Sequence, residues 1–104
     1  MEDTAFFAAI KHEEIDFVEN ALKKHGVKHY IIGMEVSKPG KHVETNGEHM
    51  HFYALMTKTM YHNYTKALKD KFELKGRAKG GKARQYGKVK KIKDKEKMKA
   101  YTVK

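Results

Sequence analysis

The fold is decided by residues 28–56, which read KHYIIGMEVSKPGKHVETNGEHMHFYALM. Lys28–Val36 and Glu48–Met56 are rich in aromatic and aliphatic residues, and each is predicted to form a strand. The intervening Ser37–Gly47 has Pro-Gly near its start and Asn-Gly at its end, which is typical of a loop. The three segments together predict a β-hairpin.

Helical periodicity flanks this hairpin on both sides. His12–His25 carries an apolar stripe, with acidic residues in its first turn and basic residues in its last, as the helix dipole favours. Gly26 then provides a stop signal. A second amphipathic helix is predicted from a cap at Thr57 or Thr59 to about Leu74.

The ends of the chain complete the pattern. Thr4–Ile10 is predicted as a first strand, Arg84–Ile92 as a fourth, and a last helix begins at an Asp94 cap and runs through Lys104. The order β-α-β-β-α-β-α contains the split βαβ unit of ferredoxin-like folds. We therefore expect residues 1–104 to form a single α+β domain. Two helices would cover one face of its antiparallel sheet, and the C-terminal helix would lie at the other.

Positive charge is concentrated in the last third of the chain. The net charge is +10, and residues 75–104 hold thirteen basic and two acidic residues. Such a stretch attracts polyanions, with nucleic acid favoured over an anionic membrane surface. A solvated basic tail is the alternative, although interspersed apolar residues argue against a disordered one. No apolar run reaches the ~20 residues of a membrane span. The absence of cysteine excludes disulfides and thiol catalysis.

His49-Met50-His51 is the candidate metal-binding motif. Residues i and i+2 of a strand share a face, so both imidazoles project together. Glu35 falls on the same face of the partner strand. Two imidazoles and a carboxylate suit Mn²⁺ or Mg²⁺ in nucleic-acid chemistry, and zinc would bind the same set. The alternative is a pair of surface or hydrogen-bonded histidines on a strand that bind no metal.

Tyr101 is the candidate nucleophile. On a helix it shares a face with Lys104 and, one turn earlier, with Lys97. A phenol has a pKa near 10, so neighbouring ammonium groups and a metal-polarised phosphate would be needed to stabilise the attacking phenolate. Tyr86, in the predicted basic strand, is the rival tyrosine. The simpler alternative for Tyr101 is a half-buried aromatic beside solvated lysines.

These motifs, taken in order, resemble the catalytic domain of the HUH endonucleases. The likeness is to single-tyrosine replication initiator (Rep) proteins of circular single-stranded DNA viruses, such as circoviruses, nanoviruses and geminiviruses, and of related plasmids. HYIIGMEV resembles the family's second strand, EHMHFYALM its motif II and KAYTVK its motif III. Residues 6–9, FFAA, match motif I only weakly.

The resemblance implies a metal-dependent endonuclease that nicks single-stranded DNA at a stem-loop replication origin. Glu35, His49 and His51 would hold Mn²⁺ or Mg²⁺. Tyr101 would attack a phosphodiester, leaving a 5′-phosphotyrosine and a 3′-hydroxyl that primes rolling-circle synthesis, and Lys104 would position the phosphate. Reversal of the attack would rejoin strands.

The DNA contacts are expected in the basic segment and the last helix. The candidates are Lys75, Arg77, Lys79, Lys82, Arg84, Lys88, Lys90, Lys91 and Lys97. Rep proteins usually continue into a helicase, and this chain has no Gly-x-x-x-x-Gly-Lys-Ser/Thr motif. A helicase segment is therefore expected only in a longer parent protein. The expected location is the host nucleus for a eukaryotic virus and the cytoplasm otherwise.

Two other functions fit parts of the pattern. A ferredoxin-like sheet with a basic edge also describes RRM-type binding modules, with Tyr53 available for base stacking, but the RNP1 string is absent. A related HUH transposase or relaxase would share the His-hydrophobic-His motif. A requirement for divalent metal separates the nuclease from the binding module.

Overall fold

A computed structural model of the chain describes residues 1–76, 84–89, 92 and 94–102. The elements are β1 (Glu2–Ala8), a 3₁₀ turn (His12–Glu14), α1 (Ile15–Lys24), β2 (Tyr30–Val36), a second 3₁₀ turn (Val43–Thr45), β3 (Glu48–Met56), α2 (Lys58–Phe72), β4 (Tyr86–Lys88) and α3 (Lys95–Thr102). Their order is the one predicted from the sequence.

The four strands form one antiparallel sheet in the order β2-β3-β1-β4. The β-hairpin of β2 and β3 thus occupies one side of the sheet, and β1 lies between β3 and the short edge strand β4. This is the strand order that a split βαβ unit gives, and the predicted ferredoxin-like α+β class is confirmed.

The core lies between the sheet and the helices α1 and α2. Alternate residues of β1 and β3 face it, and at its centre the rings of Phe6 and Phe52 stack with centroids 4.6 Å apart. The buried residues of this cluster are Phe6, Ala8, Ile10, Val18, Ala21, Leu22, Val27, Met50, Phe52, Ala54, Met56, Tyr64 and Leu68. The odd-numbered residues of β3 therefore project from the opposite, outer face.

Capping signals in the sequence set the helix ends. The Thr57 hydroxyl accepts a hydrogen bond from the Met60 backbone N–H at 3.0 Å, which caps α2. The Asp94 carboxylate accepts one from the Lys97 N–H at 3.2 Å, which caps α3. Gly26 follows α1 with φ of 80°, a conformation that glycine adopts without strain.

The C-terminal helix α3 lies against the outer face of the sheet, as expected. Its Lys95 Nζ is 2.6 Å from the Asp3 carboxylate on β1. Its Lys99 Nζ is 5.6 Å from the centroid of the Tyr53 ring on β3. Asp3 and Tyr53 both belong to the outer face, so α3 crosses the side of the sheet opposite α1 and α2.

The end of β2 differs from the prediction. Met34 and Val36 were expected to face the helices, but they are 41% and 65% exposed. The polar 3₁₀ turn His12–Glu14 lies at this end of the sheet, and α1 begins only at Ile15. The helix therefore covers Tyr30 and Ile32, earlier in β2, and leaves the last residues of the strand open.

Several predicted boundaries also move. The first strand begins at Glu2 and ends at Ala8, and β2 begins at Tyr30. The fourth strand is described only over Tyr86–Lys88, within the predicted Arg84–Ile92. The predicted basic loop beyond Gly76 and the predicted end of the last helix lie outside the described residues.

Candidate metal centre

The register of the β-hairpin brings the candidate ligands together. Glu35 on β2 is directly opposite His49 on β3, and Gly33 is directly opposite His51. All four residues therefore belong to the outer face of the sheet. Gly33 has no side chain, so nothing from its position occupies the space between Glu35 and His51.

Glu35 contacts both histidines. Its Oε2 lies 2.8 Å from His51 Nε2 and 3.6 Å from His49 Nε2. One ligand atom from each of the three residues lies within 4.8 Å of the others, and the group could bind a metal ion. All three side chains are largely shielded, being 11–28% exposed.

The backbone orients His49 for this role. Its Nδ1 lies 3.2 Å from the carbonyl oxygen of Gly47 and 3.2 Å from the hydroxyl of Ser37. With its proton on Nδ1, the ring would donate to the Gly47 carbonyl and direct the lone pair of Nε2 at the site. Such contacts fix the tautomer and ring orientation of a metal-binding histidine.

Burial also favours the metal-binding form of His51. Desolvation lowers the pKa of His51, the charge of Glu35 opposes this, and the neighbouring His49 adds to the lowering. The pKa therefore falls below its usual value, and the neutral imidazole that a metal requires predominates at neutral pH.

His12 holds the two ligand-bearing strands from the other side. Its Nε2 is 3.1 Å from the carbonyl oxygens of both Glu35 and His49. Its backbone N–H donates to the carboxylate of Glu48 at 2.8 Å. The ring thus bridges the backbones that carry two of the three candidate ligands. This role was not predicted from the sequence, where His12 was only the start of a helix.

His42 is a further residue at the site that the sequence did not indicate. It lies in the loop between β2 and β3, and its ring centroid is 5.3 Å from that of His49. Burial lowers the pKa of His42, with smaller contributions from His49 and Lys41. Loop residues carry no periodicity, so the only sequence signal was the number of histidines.

A cavity of about 210 Å³ adjoins His51 on the outer face. It lies between β1, β4 and α3, and Thr102 at the end of α3 is among its lining residues. Its apolar lining includes Phe7, and the guanidinium of Arg84 supplies a positive charge. The last turn of α3 therefore lies near His51 and not at the far end of the sheet.

The structure describes only some of the remaining candidate residues. Tyr101 belongs to the last turn of α3, but its side chain and the whole of Lys104 lie outside the described residues. Lys75 and Lys97 are exposed. Lys88 projects to the helix side, with Nζ 4.7 Å from the Tyr61 ring centroid, so the structure does not bring it to the metal-binding group. Also outside the described residues are Arg77, Lys79, Lys82, Lys90 and Lys91.

Tyr86 was considered as a tyrosine that could face the DNA. It is directly opposite Ala8 in the sheet and packs against the core on the helix side, where Lys69 Nζ is 4.8 Å from its ring centroid. It therefore lies on the opposite face from His49 and His51. Tyr86 is therefore not brought to the metal-binding group.

Comparison with known proteins gives no relative from which a function could be carried over: no family model, curated protein or solved structure matches the chain. Among the described residues, no helix has both the length and the apolar character needed to cross a membrane.

Proposed function

We propose that the protein is a metal-dependent endonuclease and strand transferase for single-stranded DNA, with Tyr101 as its nucleophile, acting at a stem-loop origin in rolling-circle replication. One observation carries the proposal. Glu35, His49 and His51 converge on the outer face of the sheet, and α3, which carries Tyr101, ends beside the cavity next to His51.

The donor set fits Mn²⁺ or Mg²⁺. The two imidazole nitrogens favour Mn²⁺, while the carboxylate suits either ion. When bound, the metal would polarise a phosphate oxygen and stabilise the charge that develops during attack. The three side chains would hold it near one edge of the cavity, and their partial burial would strengthen the interaction with it.

The reaction is a transesterification that needs no further reactant. The Tyr101 oxygen forms a bond to phosphorus as the bond from phosphorus to the 3′-oxygen breaks. The phenol proton passes to solvent, and the departing 3′-oxygen takes a proton from solvent. One phosphodiester is exchanged for another, so the reverse attack by a 3′-hydroxyl rejoins strands.

The cavity beside His51 suits an unstacked nucleotide. Phe7 provides an aromatic surface, and the Arg84 guanidinium provides a charge for a phosphate. This arrangement supports a path for the DNA strand between α3 and β4, with the scissile phosphate at the metal-binding group.

The test is formation of a covalent adduct. Labelled stem-loop oligonucleotides are incubated with the protein and Mn²⁺ and resolved on a denaturing gel, and the adduct peptide is mapped. Wild-type protein and Tyr86→Phe should both form the adduct, whereas Tyr101→Phe and His51→Ala should not. Tyr86→Phe is the matched control, because it removes a hydroxyl from the opposite face. DNA attached to another tyrosine, or an adduct that persists in Tyr101→Phe, would overturn the assignment.

A purely binding, RRM-like role has less support. Tyr53, the residue available for base stacking in that role, is only 4% exposed, with Lys99 of α3 over its ring. An HUH transposase or relaxase would give the same adduct. It would differ from a replication initiator in the DNA sequence that it cleaves.

A further inference from the structure

We propose that His42 is a third imidazole ligand of the Glu35, His49 and His51 site, so that the loop between β2 and β3 completes the metal centre. This inference rests on the metal centre of the proposed function and does not require the nuclease activity. It assigns the site four protein ligands on three segments of chain.

The rings around the site are closely spaced. The His42 and His49 ring centroids are 5.3 Å apart, and those of His49 and His51 are 4.9 Å apart. His42 is thus almost as close to His49 as is the ligand two residues along the strand. The ring nitrogens of His42 do not belong to the group of ligand atoms that lie within 4.8 Å of one another, so its side chain would have to rotate for a nitrogen to reach the ion.

One ring nitrogen of His42 is buried. Within the part of the chain that the structure describes, Nδ1 of His42 is inaccessible to solvent and has no hydrogen-bond partner. Buried polar atoms are nearly always paired, because leaving them unpaired is costly. Binding a metal would satisfy this nitrogen without breaking any existing hydrogen bond to it.

The loop holds His42 in an unusual backbone conformation. His42 has φ of 50° and ψ of 46°, a left-handed geometry that few residues other than glycine adopt. Its carbonyl oxygen accepts hydrogen bonds from the Gly47 N–H at 2.9 Å and the Thr45 N–H at 3.0 Å. These bonds fix the loop with the imidazole against His49, which reduces the ordering needed on metal binding.

Phe7 closes this side of the centre. Its ring centroid is 6.2 Å from that of His42 and 6.3 Å from that of His51. The apolar ring lies beside both histidines, and a neighbour of low polarity strengthens the bonds that they would make to a cation.

A third imidazole would change which metals the site prefers. Mg²⁺ favours oxygen ligands and retains several waters, whereas imidazole suits later transition metals. The wild-type site should therefore bind Mn²⁺ and Co²⁺ much more tightly than Mg²⁺. Removal of His42 should reduce the preference for Mn²⁺ and Co²⁺ over Mg²⁺.

The experiment counts imidazole nitrogens on bound Mn²⁺ by electron-nuclear double resonance, with affinities measured by calorimetry. Two variants are compared: His42→Phe keeps an aromatic ring, and His42→Asn suits the left-handed backbone. His62→Phe, at an exposed position on α2, is the matched control. We expect three coupled nitrogens in wild type and in the control, and two in both His42 variants. The Mn²⁺ affinity of both His42 variants should be about 10–100-fold lower than that of wild type.

The outcomes separate ligation from packing and from catalysis. Two nitrogens in wild type, or unchanged affinity in both His42 variants, would overturn the inference. Affinity lost in His42→Asn but kept in His42→Phe would assign His42 a packing role and also overturn it. Failure of wild type to bind Mn²⁺ would reject the metal centre itself. Three nitrogens in wild type without a DNA adduct would reject only the nuclease.

Discussion

Glu35 lies directly opposite His49 in the sheet, yet it makes its shorter contact, 2.8 Å, with the diagonal residue His51. The distance to His49 is 3.6 Å, so the carboxylate bridges the two histidines. This geometry depends on the register of β2 against β3. A slip of one residue would turn Glu35 to the helix side of the sheet.

The bridging carboxylate leads to the first prediction. Glu35→Gln keeps the shape of the side chain and removes its charge, so metal affinity should fall about 10–100-fold while the circular dichroism spectrum stays unchanged. Calorimetric titration with Mn²⁺ measures the affinity. Glu13→Gln, an exposed acid in the turn before α1, is the control and should bind as wild type does. Equal affinities for the two variants would show that Glu35 is not a ligand.

The two described basic residues near β4 should differ in their effect on DNA binding. If about five cations contact single-stranded phosphates, the slope of log K against log salt is about −3.5. Arg84→Gln should weaken binding and reduce the slope by about 0.7, because Arg84 lines the cavity beside His51. Lys88 also lines this cavity, but its side-chain nitrogen lies over Tyr61 on the helix side, so Lys88→Gln should change the slope little. Fluorescence anisotropy over a salt series measures the slope for both variants. A larger change for Lys88→Gln than for Arg84→Gln would place the DNA on the helix side of the sheet.

Docking of α3 should weaken in acid. The hydrogen bond from Lys95 lowers the pKa of Asp3 below its usual value of 3.8. Burial opposes this lowering, and the charges of Lys95 and Lys99 add to it. A carboxyl group with a depressed pKa stabilises the fold above its unfolded-state pKa. This stability is lost as the pH falls through the folded-state pKa.

Hydrogen exchange of the α3 amides, corrected for intrinsic rates, measures this effect. Between pH 6 and pH 3 the opening of α3 should increase about two- to five-fold, the range for an exposed ion pair. Asp3→Asn should show the faster exchange already at pH 6 and little further change in acid. A pH response that survives in Asp3→Asn would assign it to another group.

The stacked pair at the core centre should dominate stability. Phe52 is 1% exposed and packs face to face on Phe6. Phe52→Ala should lower the free energy of unfolding by about 3–5 kcal/mol, because it removes apolar contacts and leaves a cavity. Val36→Ala, at a position that is 65% exposed, should change it by less than about 0.5 kcal/mol. Urea unfolding measures the free energy of unfolding of both variants. Similar losses of stability would contradict the placement of Phe52 in the core and Val36 at the surface.

The sequence by itself determined the fold class, the order of the elements and the face of the sheet on which Glu35, His49 and His51 lie. Strand alternation is enough to put His49 and His51 together and Met50 on the other face, because successive side chains of a strand point in opposite directions. The caps at Thr57 and Asp94 could also be predicted from the sequence, because a cap acts within one helical turn. Such features depend only on residues near one another in the chain.

Only the tertiary structure decided the contacts between distant segments. The register that sets Glu35 opposite His49, the burial of Tyr86 on the helix side and the exposure of Met34 all depend on how strands pair and how far helices extend. His12 and His42 reach the metal-binding group from a turn and a loop, where no periodicity fixes the direction of a side chain. Long-range packing alone determines what such residues contact. The sequence therefore predicted Glu35, His49 and His51 at this centre but not the neighbouring His12 and His42.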